Sequence, residues 1–291
     1  MKLATYGPRW QERVALVSED GQWLVDVNLA SQGRLPADML ALLEQGDREA
    51  LEALAAKGLD VPREALKPLK EVRLGAPVPL PRNVICLGLN YHDHAAEGGH
   101  PIPERPILFM KASTCLIGPY DDIVLPRTVG QVDYELELAF VVGRKAKGVS
   151  PEEAPNYIAG YVVFNDVTSR EAQFGDGQWF RGKSCDTFGP MGPYLVSPDQ
   201  VGDVHQLDMW LTLNGQEMQR SNTSNLIFNV YQILAFITEN ITLYPGDVVS
   251  TGTPGGVGIF RQPPVLLKPG DVVEAHIQNI GSLRNRVVAE E

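Results

Sequence analysis

The stretch VDYELELAF, Val132 to Phe140, reads as a buried strand that carries two carboxylates. Side chains alternate faces along a strand, so Tyr134, Leu136 and Leu138 share one face and Glu135 and Glu137 the other. Two like charges on one pleat repel, and burying them unpaired is costly. Two carboxylates at i and i+2 can instead converge on one cation, and an all-oxygen site selects a hard ion such as Mg²⁺, Mn²⁺ or Ca²⁺. A third ligand is available where the next apolar run, IAGYVVFND, ends at Asp166, because an adjacent strand would bring it beside Glu135 and Glu137. Spacing alone leaves a second reading open, in which two glutamates lie on a solvated edge strand and an aspartate opens a turn.

Around this stretch lies a chain of 291 residues, 44% hydrophobic and 21% charged, with a formal net charge of −11. The composition is that of a soluble globular protein, and the length suits a large domain with a small one. The acidic balance argues against nucleic acid or an anionic membrane as a partner. An acidic protein still binds an acidic small molecule where a metal or local cations reverse the field. Cys86, Cys115 and Cys185 form no CxxC pair, which suits a reducing compartment. No apolar run is long enough to span a bilayer. Arg9 and Arg13 fall where a secretion signal needs its apolar core, so the expected location is cytoplasmic.

The expected fold class is α+β, mostly β. Residues 1–72 read as a small α+β module, with a hairpin turning at Glu19-Asp20-Gly21 and a helix over Pro36–Lys57 that stops at Gly58. The prolines in Gly75–Asn83 exclude regular structure there. Residues 73–291 are rich in strand signals: VICLGL, ELELAFVVG, IAGYVVFND, MWLTLNG, DVVSTGTP and DVVEAHIQNIGSLRNRVV. One strong helix is expected over Ser224–Glu239. PGDVV, at Pro245 and again at Pro269, reads as a turn entering a strand rather than as a duplication.

Three further segments carry candidate chemistry. In LGLNYHDHAAEGG, His94 and Glu97 are three apart, which places them on one helix face; a carboxylate beside an imidazole raises its basicity, as activating a water requires, while a surface His–Glu pair is the other reading of the same spacing. In QWFRGKSCDTFGPMGP, Lys183 sits among glycines and aromatics, either exposed or leaning into a cavity as a cation for an anionic substrate. STGTPGGVG, Ser250 to Gly258, has the look of a backbone-donor loop but is not a Walker loop, since no Gly-Lys-Ser/Thr follows.

In their order along the chain, NYHDHAAE, RPILFMKAST, VDYELELAFVVG, FNDVTSRE, QWFRGKSCDTFGPMGP, SNT, YPGDVVSTGTPGGVG and RQPPVLLKPGDVVEAHIQNIGSL resemble the fumarylacetoacetate hydrolase family, especially its fumarylacetoacetate-hydrolase-domain-containing type. The resemblance runs over about residues 70 to 291. It implies a mixed β-roll catalytic domain over 73–291, a small N-terminal domain over 1–72 and a homodimer. It also implies Mg²⁺ or Mn²⁺, with Ca²⁺ as a substitute, on Glu135, Glu137 and Asp166. His94, Glu97 and Lys183 match the family's catalytic groups, and Gln173, Gly252 and Thr253 its substrate contacts. One departure is visible: Lys111-Ala112-Ser113-Thr114 stands where many relatives have KPST.

The implied substrate is a small 2-oxo or 2,4-dioxo acid. The leading expectation is a metal-dependent C–C hydrolase of the acylpyruvase type that releases a pyruvate enolate. The alternatives are an oxaloacetate tautomerase or decarboxylase, or a hydroxymuconate-type isomerase, on the same site. A non-catalytic metal-binding scaffold is a further class, but it has no need for His94. Because a divalent ion against three carboxylates leaves about one negative charge, an anionic substrate needs further cations. Lys183 and the backbone donors of Thr251–Gly258 are the first candidates, with Arg127, Arg170 and Arg181 behind them. Ala95–Lys111, with Gly98, Gly99 and three prolines, reads as a mobile lid.

Overall fold

In the computed structural model, which describes residues 1–291, the acidic stretch is not one strand. Val132–Asp133 pairs with Thr168–Ser169 in a two-stranded ribbon, while Leu136–Val142 is a separate strand inside a large sheet. Tyr134 and Glu135 make the corner between them. The corner is pinned by the Asp166 N–H, which donates to the Glu135 carbonyl at 2.9 Å. Alternation survives the corner: Tyr134 enters the same hydrophobic core as Leu136 and Leu138, while Glu135 and Glu137 converge on the other side. Leu136, Leu138 and Phe140 enter one hydrophobic core and Ala139 and Val141 the other, with Glu137 on the second face.

The large sheet has eleven strands. Leu136–Val142 lies between Ile158–Asn165 and Val248–Ser250, both antiparallel to it. Val248–Ser250 runs parallel to Val84–Gly88, and Ile107–Lys111 closes that edge. On the other side Ile158–Asn165 pairs with Gly189–Val196, which accepts the N-terminal strand Lys2–Tyr6. Arg13–Val17, Trp23–Asp26 and Leu66–Pro68 continue the same sheet. A second, five-stranded sheet runs Gln216–Asn222, Asp208–Leu213, Val272–Ile277, Gly281–Ala289 and Ile123–Leu125. It packs over the first face of the central strand through Met209, Leu211, Ala275 and Leu283. The strand-rich α+β class expected from the sequence is the one that forms.

Several local expectations shift for identifiable reasons. The helix expected over 36–57 is two, Met39–Gln45 and Arg48–Lys57, because Asp47 caps a new N-terminus through the Ala50 N–H. The helix expected from Ser224 starts at Val230, where Asn229 and Gln232 form a capping box. The segment 95–111, read as a lid, is only partly a loop. Its start belongs to the helix His92–Glu97, and Ile107–Lys111 is a sheet strand whose last side chain is buried. Both PGDVV turns do enter strands, with Gly246 and Gly270 at φ +88° and +95°, conformations that favour glycine. No helix is long and apolar enough to cross a membrane.

Candidate active site

The strand corner, the end of the neighbouring strand and the Ser250 loop converge on three buried carboxylates. Glu135, Glu137 and Asp166 each place an oxygen within 4.8 Å of the others. Each is carried there by its backbone: Glu137 by the central strand, Glu135 by the corner before it, and Asp166 by the residue after Asn165, which pairs with Leu136.

Cations surround two of the three. Lys183 Nζ donates to Glu135 Oε2 at 2.6 Å and to Asp166 Oδ2 at 2.7 Å. Lys111 Nζ donates to Asp166 Oδ1 at 2.6 Å. Arg170 reaches Glu135 Oε1 at 2.6 Å and grips Asp133 Oδ2 through Nε and Nη2 at 2.9 and 2.8 Å. Burial alone would push the Glu135 carboxyl up, but Lys183 and Arg170 pull it down to about 2. Glu137 has no such partner: it accepts from the Ser250 hydroxyl and the Gly252 N–H. Burial, reinforced by Asp166 and Glu135, pushes its carboxyl well above the ordinary range.

That imbalance is the observation against which a metal can be tested. With Asp133 and the triad ionised, four carboxylates face Lys111, Lys183 and Arg170, one cation short of neutrality. A divalent ion would turn the local balance positive and relieve Glu137. Three buried hard-oxygen donors fit Mg²⁺ or Mn²⁺, so the residues present suit such an ion.

His94 and Glu97 lie one turn apart on the short helix, with Nδ1 and Oε2 separated by 3.7 Å. His94 Nδ1 is buried and makes no hydrogen bond. The Phe260 ring stands 5.9 Å from the imidazole. Burial raises the Glu97 carboxyl, yet His94 and the Gly256 N–H hold it below the ordinary value. One loop links the dyad to the triad: Gly252 N–H donates to Glu137 and Gly256 N–H to Glu97. His92, by contrast, is exposed.

The glycine-rich loop gives several of its donors to the protein's own carboxylates. Gly252 N donates to Glu137, Gly255 N to Asp93, Gly256 N to Glu97, and Gly258 N and Ile259 N to Asp133. The sequence signals a donor loop but not what takes the donors; these five tie metal-site, dyad and Arg170-holding carboxylates together. Gly252 adopts φ +95° with Asn90 and Leu87 close behind it, so no side chain fits there. Thr253 Oγ1 accepts from Gln219 Nε2, and Gln173 Oε1 accepts from Arg170.

Of the arginines named behind Lys183, only Arg170 is at the site; Arg181 pairs with Asp176 at the surface and Arg127 is exposed. Three buried groups were not singled out from the sequence: Lys111, Asp133 and Gln219. With a divalent ion offsetting the triad, the flanking ammonium and guanidinium groups and the nearby histidine suit binding a small oxo-acid anion and moving a proton on it.

A family model described as fumarylacetoacetate (FAA) hydrolase C-terminal matches residues 83–288. The chain is 41% identical over 277 residues to the mitochondrial oxaloacetate tautomerase FAHD2A of Bos taurus, covering 94% of this chain and 87% of that one. It is 44% identical over 291 residues to a 2,4-didehydro-3-deoxy-L-rhamnonate hydrolase of Sphingomonas sp. (strain SKA58), covering 99% and 96%. Among solved structures, fumarylacetoacetate hydrolase from the psychrophilic Exiguobacterium antarcticum is similar over 100% of both chains, with TM-score 0.83 and 35% identity. Maleylpyruvate hydrolase from Sphingobium sp. SYK-6 is similar over the same share, with TM-score 0.81 and 31% identity.

Proposed function

The chain belongs to the fumarylacetoacetate hydrolase family, and on that premise we propose that it is a divalent-metal-dependent oxaloacetate tautomerase. The observation that carries the reading is the buried triad Glu135, Glu137 and Asp166 beside the His94–Glu97 pair. The relatives named as oxaloacetate tautomerases cover most of the chain.

Glu135, Glu137 and Asp166 would hold Mg²⁺ or Mn²⁺, which supplies Lewis acidity toward the 2-oxo acid's oxygens. Lys183, itself buried, would add a fixed positive charge where the enolate oxygen develops. Arg170 holds Glu135 as a carboxylate and anchors Gln173 through its Oε1, which leaves the Gln173 amide nitrogen for the substrate's head. Glu97, on the Nδ1 side, favours a proton on that nitrogen and leaves His94 Nε2 as the basic atom. His94 then takes the proton from the carbon beside the ketone, and a proton passes to the former keto oxygen to give the enol; the reverse transfer, from enol oxygen back to carbon, restores the ketone. Thr253 donates to the substrate carboxylate.

A second reading, hydrolysis of a C–C bond in a 2,4-dioxo acid with release of a pyruvate enolate, is supported by the 44% identical hydrolase relative. The same dyad can take its proton from water instead of carbon. Both readings include a homodimer, which light scattering at micromolar concentration reads directly.

The deciding experiment follows purified protein with Mg²⁺ or Mn²⁺ on two substrates. Enol-oxaloacetate decay is read by ultraviolet absorbance, with CO₂ release counted to detect decarboxylation. Pyruvate release is read on acylpyruvates. Faster equilibration of enol-oxaloacetate without CO₂ or C–C cleavage is the expected result. Pyruvate release from an acylpyruvate, with oxaloacetate decaying at the buffer rate, would replace the first reading with the second.

A further inference from the structure

Gln219 lies on the strand Gln216–Asn222, is 1% exposed, and spans two parts of the site. Its Oε1 accepts the Leu136 N–H at 2.9 Å, and Leu136 is the residue between Glu135 and Glu137. Its Nε2 donates to the Pro254 carbonyl and to Thr253 Oγ1, each at 2.9 Å. The backbone fixes which way this amide faces. Leu136 N–H can only donate and Pro254 C=O can only accept, so a flipped side chain would set donor against donor and acceptor against acceptor. One Nε2–H therefore occupies a lone pair of the Thr253 hydroxyl. No protein acceptor takes the hydroxyl's own proton.

We infer that Gln219 is a positioning residue that holds Thr253 as a hydrogen-bond donor toward the carboxylate of a 2-oxo acid, while steadying the backbone between the two glutamates of the metal site. The inference rests on the 2-oxo acid reading above. It assigns Gln219 no contact with substrate; its effect passes through Thr253. A hydroxyl free to rotate could turn its proton to a nearby carbonyl. With Pro254 O already satisfied and the Oγ1 lone pair taken, donating outward remains its favourable use.

The test is a double-mutant cycle with oxalate as probe, titrated by calorimetry against the full chain in saturating Mg²⁺, with Mg²⁺ affinity measured separately. Gln219→Glu keeps the acceptor for Leu136 N–H but turns the donor into an acceptor, so Thr253 must spend its proton on the new carboxylate. Oxalate binding should weaken about tenfold or more, as losing one hydrogen bond to a charged group does. Gln219→Met is the uncharged counterpart and serves if Gln219→Glu does not fold; it also removes the acceptor for the Leu136 N–H, so its Mg²⁺ affinity should fall and its oxalate affinity is read at a Mg²⁺ concentration that saturates the variant. In a Thr253→Val background neither substitution should weaken oxalate further, whereas Thr253→Ser should restore the response. Losses that simply add in the Thr253→Val background would make Gln219 a packing residue and leave the 2-oxo acid reading standing. A wild type that binds neither oxalate nor pyruvate with Mg²⁺ would remove that reading and this inference together.

Discussion

The ammonium of Lys183 stands 2.6 Å from Glu135 Oε2, and both side chains are sealed from solvent. Its second bond, to Asp166 Oδ2, makes it the shared counter-ion of two metal-site carboxylates as well as a candidate partner for substrate. Removing one member of a buried ion pair costs roughly 3–5 kcal/mol, because the other charge is left uncompensated. Lys111 and Arg170 remain, so the cost here belongs at the lower end. Lys183→Met should therefore melt lower than the wild type without metal and gain more from Mg²⁺. Oxalate affinity should fall, and turnover should drop by roughly 10²–10³, as when one oxyanion donor is lost. Wild-type melting, Mg²⁺ response and turnover together would make Lys183 dispensable.

How far this site could be read from sequence depends on the residue. Glu135, Glu137 and Asp166 stood out because each interrupts an apolar run, and a buried acid needs a reason. Lys111 gave no such sign: it ends the strand ILFMK, which alternates partly exposed positions, and its partner Asp166 lies 55 residues away. A lysine is by default a surface residue. Gln219 is hidden the same way, since only a fold that sets two sheets against each other brings it to Leu136 and Thr253. The alternation rule placed Tyr134, Leu136 and Leu138 correctly on one face. It could not show that the chain leaves one sheet for another at Tyr134–Glu135, because pattern reports faces and not partners.

His94→Ala should separate binding from chemistry. The imidazole makes no hydrogen bond through Nδ1, and neither it nor Glu97 holds the triad in place. Calorimetry should return near-wild-type Mg²⁺ and oxalate affinities, while turnover falls by roughly 10²–10⁴, the range for a positioned base. Unchanged turnover would take His94 out of the proton transfer under either reading of the reaction.

Glu137 makes metal binding sensitive to pH in a definite direction. Its carboxyl is raised in the folded, metal-free protein by burial and by Asp166 and Glu135. A carboxyl raised on folding destabilises the fold once pH exceeds its unfolded value, about 4.3, and the penalty grows until the folded value is passed. Mg²⁺ has to displace that proton. Affinity should rise with pH across this window, with protons released on binding, and Mg²⁺ should cancel the stability loss. Calorimetry in buffers of different ionisation enthalpy counts the protons; uptake, or an affinity that falls as pH rises, would contradict the assignment of Glu137 as a ligand.

The N-terminal strands give the last prediction. Asp26 is fully buried and accepts from the Tyr6 hydroxyl, the Arg13 guanidinium and the Leu29 N–H at 2.6, 2.6 and 2.8 Å. Burial pushes its carboxyl up, but Arg13, Leu29 and Tyr6 together hold it below the ordinary aspartate value. A depressed carboxyl contributes stability that is present above the unfolded value, about 3.9, and is lost as pH falls through the folded one. Asp26→Asn should thus cost about 1–3 kcal/mol near neutrality, the range for disrupting hydrogen bonds to a buried charge, and the gap from wild type should close below about pH 4. Lys2–Tyr6 pairs with Gly189–Val196, so the residues around Asp26 share one sheet with the strand that carries Glu137. The loss should therefore appear as a lower melting temperature of one transition, not as an early transition confined to residues 1–72. Calorimetric melts from acid to neutral pH would show it. Two resolved transitions would mean that the N-terminal module unfolds by itself, and a gap that persists in acid would mean that Asp26 acts through its shape rather than its charge.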